Sequence, residues 1–288
     1  MTRGGARLHR RDRRQATALV LLLLLVVSGC ARHRDRPSPS LLRPAATDSA
    51  QERWRPAPGV TWQWQLDGSL DTAVRAQVFD VDGFDTTAAQ VAALHRAGRK
   101  VVCYLDIGAV EQDRPDTARV PSRVRGRGVD GWPQERYLDI RDPVVRSLMA
   151  DRIEMCRAKG FDGVEGDLVD AYANPSGFPI TTADEEDYLR WFAATSHAAG
   201  LAAGLKNDPD LAARLVGEFD FAIVEDCVAQ QQCSAYRAFT RADRAVLDAE
   251  YSVPPDRYCP VTRPLGISAI GKRLDLGAWR TTCGAGDG

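Results

Sequence analysis

Two acidic residues stand where a carboxyl group could do chemistry. Asp167 closes the run Gly160-Phe161-Asp162-Gly163-Val164-Glu165-Gly166-Asp167, and Glu225 closes Phe219-Asp220-Phe221-Ala222-Ile223-Val224-Glu225. An Asp or Asn after a strand often does no more than cap the next helix, and Asp142 and Asp208 read that way. Glu225 does not, because Glu is a weak cap and the run before it, Phe221 to Val224, is apolar enough to be buried. Two carboxyl groups facing each other across a glycosidic bond, one protonated and one ionised, are what glycoside hydrolysis requires. Nearby acids and apolar walls would raise the pKa of one and leave the other charged. More polar residues gather where other apolar runs end: Asp80 and Asp82, Tyr104 and Asp106, Asp139, Glu165 and Asp170, Lys206 and Asn207, Asp226, Glu250 and Tyr251. Trp62, Trp64, Tyr104, Tyr172 and Tyr251 offer faces on which a sugar ring can stack, although each also reads as a core residue.

The elements that must position these groups follow from periodicity. Apolar, β-branched runs recur at 61–66, 77–82, 100–105, 136–140, 162–167, 201–206, 220–225 and 245–250, which makes eight candidate strands. Helical spacing lies between most of them. Val144, Val145, Leu148, Met149, Ile153 and Cys156 form one face, stopped by Gly160; residues 86–97 form another, stopped by Gly98; and Thr182 with Glu185 stands at capping-box spacing before Tyr188, Trp191 and Phe192. Short, continuously apolar strands alternating with helices predict an α/β fold, a single (β/α)8 TIM-type barrel with parallel strands. The C-terminal ends of the strands, where the polar residues gather, would form one mouth. Residues 107–133, dominated by Pro, Gly and Arg, read as a long loop over it.

Outside this region the chain resembles an exported protein. Six arginines precede the apolar run Leu19 to Val27, which is too short to span a bilayer. The run closes on Val27-Ser28-Gly29-Cys30, similar to a bacterial lipobox, so residues 1–29 read as a lipoprotein signal peptide and Cys30 as the lipidation site; the alternative is an ordinary cleaved leader. Residues 30–58, rich in Arg, Pro, Ser and Ala, read as a flexible tether, and 59–288 as the barrel domain. The whole chain has 38 basic and 39 acidic side chains, and losing residues 1–29, with six arginines and Asp12, leaves 32 and 38, a net charge of −6. That balance argues against nucleic acid as a partner. Six cysteines remain for an oxidising compartment, and fifteen pairings are formally possible. Cys227 with Cys233 closes a small loop, Cys259 with Cys283 ties the C-terminus, and Cys103 with Cys156 follows by elimination. No C-x-x-C or H-x-x-x-H spacing suggests a metal, and no cofactor is expected. There is no G-x-S-x-G elbow, P-loop or G-x-G-x-x-G; His9 and His33 precede the domain, and His95 and His197 fall in helical patterns.

The motifs Phe79-Asp80-Val81-Asp82, Val102-Cys103-Tyr104-Leu105-Asp106, Tyr137-Leu138-Asp139-Ile140-Arg141, Gly160 to Asp167, Gly204-Leu205-Lys206-Asn207, Phe219 to Cys227 and Ala249-Glu250-Tyr251 occur in an order that resembles glycoside hydrolase family 114, the endo-α-1,4-polygalactosaminidases. The resemblance spans about Trp62 to Tyr251. It implies a barrel that cleaves α-1,4-linked galactosamine polymers with Asp167 and Glu225 as the catalytic pair. It implies that Asp82, Tyr104, Lys206, Asn207, Glu250 and Tyr251 line the cleft, joined by Asp106 and Glu165 from the strand-end cluster. The implied partner is an amino-sugar polysaccharide such as galactosaminan or galactosaminogalactan, cut by a monomer that meets the membrane only through its lipid anchor. Where the family usually reads Glu-Pro-Asp-Asn, this chain has Glu165-Gly166-Asp167-Leu168, a more flexible turn without the Asn amide, and Val224 replaces the usual Asn. These departures leave a second expectation, a polysaccharide-binding lipoprotein that has lost turnover.

Overall fold

The computed structural model describes residues 53–284; the expected leader 1–29, Cys30 and the tether as far as residue 52 lie outside the described residues. The strands are β1 (Trp62–Gln65), β2 (Val78–Asp82), β3 (Lys100–Asp106), β4 (Ala109–Glu111), β5 (Arg125–Val129), β6 (Trp132–Leu138), β7 (Gly163–Asp167), β8 (Ala202–Lys206), β9 (Phe221–Glu225), β10 (Val246–Glu250), β11 (Ser268–Gly271) and β12 (Thr281–Thr282). The helices are α1 (Ala88–Arg96), α2 (Pro143–Lys159), α3 (Thr182–Ala198), α4 (Pro209–Leu215), α5 (Arg237–Arg241) and α6 (Pro255–Thr262).

Eight strands pair in parallel in the order β1-β2-β3-β7-β8-β9-β10-β11, and β12 adds antiparallel to β11. This is the expected (β/α)8 barrel, with one strand exchanged. The run 136–140 is not a barrel strand: it supplies the end of β6, in a separate antiparallel sheet of order β4-β6-β5. The eighth barrel strand is β11, whose four residues, Ser-Ala-Ile-Gly, carry too short an apolar run to stand out in the sequence. Between β11 and β1 the seam is closed by side chains and by the segment after β11: Trp62 Nε1 donates to Ser268 O at 2.8 Å, and Leu66 N donates to Leu276 O at 3.0 Å.

Alternation along each strand decides which residues enter the barrel. Trp62, Val78, Val102, Ala202, Phe221, Ile223, Leu247 and Ile270 fill its lower interior. Val81, Val101, Leu105, Val164, Leu205, Val224 and Val246 face the helices, where Leu94, Met149, Ile153, Tyr188 and Phe192 cover them. Each such side chain contributes about 1.5–3 kcal/mol on full burial.

Local signals set the helix ends. Asp142 caps α2 through Val144 N, and Gly160, at φ +90°, stops it. The α3 cap is Thr181 with Asp184, one residue before the expected pair, because Thr181 rather than Thr182 has extended backbone. Residues 53–58, assigned by composition to the tether, pack on the barrel: Arg53 and Arg55 each reach Asp220 at 2.9 Å, and Ala245 N donates to Pro56 O at 2.9 Å. Three disulfides join the expected partners, Cys103–Cys156, Cys227–Cys233 and Cys259–Cys283.

Candidate active site

The parallel registers align inward-facing polar residues at the mouth, with Asp82 beside Tyr104, Tyr104 beside Glu165 and Asp106 beside Asp167, while Glu225 stands beside Ala249. There they border a cleft of about 420 Å³ whose floor is formed by Trp64, Tyr104, Asp167, Lys206, Asn207, Glu225 and Tyr251.

Lys206 stands at its centre. Its side chain is 2% exposed, and its Nζ lies 2.9 Å from Asp167 Oδ1, 2.9 Å from Glu225 Oε2 and 3.7 Å from Glu165 Oε1. It also rests 5.0 Å from the centre of the Trp64 ring. Burial alone would favour neutral lysine, but Asp167, Glu225 and Glu165 hold its pKa well above the ordinary value. Asp167 shows the complementary effect. Burial pushes its pKa up, yet the charge and hydrogen bond of Lys206, the Leu168 N–H at 2.7 Å and the Tyr104 hydroxyl at 2.8 Å together bring it below the usual aspartate value. Asp167 is therefore held as an anion.

Glu225 is the more open of the two, at 26% exposed against 18% for Asp167. It accepts the Asn207 amide N–H at 3.1 Å and the Tyr251 hydroxyl, while its backbone N–H donates to Asn207 Oδ1 at 2.9 Å. Below Lys206 lie Asp80 and Glu165, both fully buried. No nitrogen or hydroxyl donates to any of their four carboxyl oxygens. Burial accordingly raises Asp80 to about 7 and, with the charge of Asp80, puts Glu165 well above the glutamate value.

The cleft gathers Asp82, Tyr104, Lys206, Asn207 and Tyr251 as expected, and leaves out three of the expected contacts. Glu250 has the wrong parity: it faces away from the barrel axis, and accepts the Val228 N–H at 2.6 Å and the Ala229 N–H at 3.3 Å. Nor do Glu250, Asp248 and Cys227, which lie close together, form a metal-binding set, since the Cys227 sulfur is in a disulfide. Asp106 is buried beneath β4 and takes the Ala109 N–H at 2.7 Å. Glu165 lies one layer below the cleft floor. Among the suggested sugar-stacking aromatics, Trp62 is buried in the lower layer beside Trp64, and the Tyr172 hydroxyl binds Asp208 at 2.8 Å.

The stretch read as a loop over the mouth is instead an ordered arm. β4, β5 and β6 bring Glu111, Trp132 and Glu135 to the cleft, together with Arg114, which joins Asp82 and Glu111 at 2.6 Å each. The signal for it was Asp130-Gly131, a two-residue turn with Gly131 at φ +80°, of the kind that builds hairpins. Leu274, Asp275 and Leu276, after β11, form the facing rim.

The departures from the family motif also find their places. Gly166 is inside β7, paired with Leu105, and is not part of a flexible turn. A Cβ there would come within 2.5 Å of Ile107 Cδ1 and 2.9 Å of Phe192 Cζ, so those side chains occupy the space. Val224 faces the helices and is fully buried. Leu168 alone reaches the cleft, with backbone at φ +55°.

Comparison with known proteins gives the family and the fold. Residues 43–287 match the family model of glycoside-hydrolase family GH114. The chain is similar to Ega3 of Aspergillus fumigatus, solved in complex with galactosamine, with 33% identity, a TM-score of 0.77, and coverage of 80% of this chain and 98% of that one. The glycoside hydrolase domain of PelA from Pseudomonas aeruginosa shares the fold at 15% identity and a TM-score of 0.60, over 79% of this chain and 99% of that one. An uncharacterized protein of Deinococcus radiodurans is 27% identical over 243 residues, 76% of this chain and 77% of its own.

Proposed function

As a member of glycoside-hydrolase family GH114, the chain is a glycoside hydrolase, and we propose that it cleaves α-1,4-linked galactosamine-containing polysaccharide internally, with Asp167 as nucleophile and Glu225 as acid and base. The observation that carries this reading is the Lys206 ammonium placed 2.9 Å from one oxygen of each carboxyl, in a fold 33% identical to the galactosamine-bound Ega3. Two oxygens so close to one nitrogen are less than about 6 Å apart, near the ~5–5.5 Å of retaining enzymes and short of the ~6.5–9.5 Å of inverting ones.

The roles follow from the surroundings. Asp167, kept ionised by Lys206, Tyr104 and the Leu168 N–H, attacks the anomeric carbon and forms a glycosyl ester. Glu225, on the more open side, gives its proton to the departing glycosidic oxygen. It then takes a proton from the water that hydrolyses the ester, so the anomeric configuration is retained. Lys206, 2.9 Å from both carboxyls, faces the charge of Asp167 before attack and that of Glu225 once Asp167 is an ester and Glu225 has given up its proton.

The enzyme acts outside the cell, on this reading, as a monomer anchored through Cys30 or released, with an amino-sugar polysaccharide as its partner and neither nucleic acid nor a cofactor involved. The leader 1–29 and the mature charge of −6 support that placement. The test is release of reducing ends from purified, partly deacetylated α-1,4-galactosaminogalactan by residues 31–288, with Glu225→Gln as control. Release by the wild type alone supports the assignment; polymer bound but uncut would instead support a binding lipoprotein. Incorporation of labelled palmitate, lost in Cys30→Ser, tests the anchor.

A further inference from the structure

β4 and β6 place Glu111 and Glu135 directly opposite each other in the antiparallel ladder, both on the wall of the cleft. Like charges at such a cross-strand pair destabilise a sheet. One cation is near: Arg114 takes Glu111 Oε1 at 2.6 Å, and its other short pair, also 2.6 Å, goes to Asp82. Among the described residues nothing pairs with Glu135, and Glu111 Oε2 is buried with no partner. Three positions before Glu135, at the hairpin turn, Trp132 is 50% exposed on the rim of the same cleft. About half of this tryptophan is left open at the cleft rim. An indole face beside an unpaired carboxylate is complementary to a sugar ring bearing an ammonium group.

We propose that the arm is a substrate-binding device, in which Glu135 with Glu111 takes the ammonium group of a galactosamine unit away from the bond being cut, and Trp132 takes the face of the next ring outward. The inference rests on the activity proposed above and adds to it the recognition of free amine over acetamide. Glu135 discriminates because an acetamide has no charge to offer and must strip the carboxylate of water for no return. Trp132 does not discriminate, because its contact is with the ring. Burial, with the charges of Glu111 and Asp167, raises Glu135 to about 7, in accord with a carboxyl group that lacks its cation.

The test is calorimetry on residues 31–288 carrying Asp167→Asn, with fully deacetylated and fully N-acetylated α-1,4-galactosamine oligomers as probes at pH 7, where the amines are largely protonated. In that background Glu135→Gln is expected to weaken binding of the deacetylated oligomer about tenfold and of the acetylated one less than twofold. Trp132→Ala is expected to weaken both by the same factor, on the order of tenfold. A Glu135→Gln protein that kept the full preference for amine, or a Trp132→Ala protein that bound both oligomers unchanged, would overturn the proposal. Activity is read separately: wild type that binds as described without cutting polymer would refute the hydrolase assignment and leave the arm standing, whereas wild type that cuts while both arm variants bind normally would do the reverse.

Discussion

Replacing Lys206 by Met removes the central charge of the site and keeps most of the volume of the stem. At 2.9 Å and an effective dielectric constant near 20, its attraction to Asp167 is about 6 kcal/mol. The Tyr104 hydroxyl and the Leu168 N–H remain to support the anion, so only part of that is lost. At about 1.4 kcal/mol per pH unit, a loss of half the attraction moves Asp167 up by about two units. Burial, now opposed by no cation, acts in the same direction. The variant should therefore lose about a hundredfold in kcat/KM on the acidic limb, and less near neutrality, where Asp167 is again ionised. Its acidic limb should move upward by about two units, so that activity partly returns as pH rises. Lys206→Arg should not restore the rate, since a planar guanidinium cannot reach both carboxyls from the same point. The assay is the pH profile of kcat/KM for reducing-end release by wild type and variant, with circular dichroism to confirm folding. A drop in rate with the acidic limb unmoved would refute the claim that Lys206 works by keeping Asp167 ionised.

Three further outcomes are expected. Asp220, tied to Arg53, Arg55, His197 and the Ala203 N–H, has its pKa lowered despite burial. A depressed carboxyl contributes stability that is present above its unfolded pKa and lost as pH falls below it, so Asp220→Asn should flatten the acid side of a plot of urea midpoint against pH; an unchanged slope would count against these pairs as the anchor of residues 53–58. Cys103→Ala with Cys156→Ala opens a bridge spanning 53 residues and should cost about 4 kcal/mol in denaturant unfolding; a cost below about 1 kcal/mol would show that the bridge does not constrain the unfolded chain. Gly166→Ala puts a methyl group against Ile107 and Phe192 and should cost about 1–3 kcal/mol, which a thermal melt would detect; a neutral outcome would mean that those side chains yield.

Much of the site was legible because it sits at strand ends, where an apolar run breaks into a polar residue. Asp167, Lys206 and Glu225 stand at such breaks, and the structure brings all three to one point. What the sequence hid is instructive in each case. Glu250 ends a run as Glu225 does, and only the sense in which each strand enters the barrel turns one carboxyl inward and the other out to the loop at Val228. Counting along a strand gives its alternation but not which face meets the axis. The arm escaped because Arg, Gly and Pro mask a hairpin whose one local signal is Asp130-Gly131, and β11 escaped because four residues carry too little pattern.

The sequence by itself determined seven of the eight barrel strands, most helix ends and the cysteine partners, since these depend on local periodicity, capping, chain proximity and, for the last cysteine pair, elimination. The tertiary structure decided that one buried ammonium lies between the two carboxyls, that Asp80 and Glu165 lie fully buried beneath it with raised pKa values, and that Glu111 and Glu135 face each other on an arm over the cleft. These facts depend on distances between strands far apart in sequence, and on charges whose pKa values exist only once water has been removed from around them.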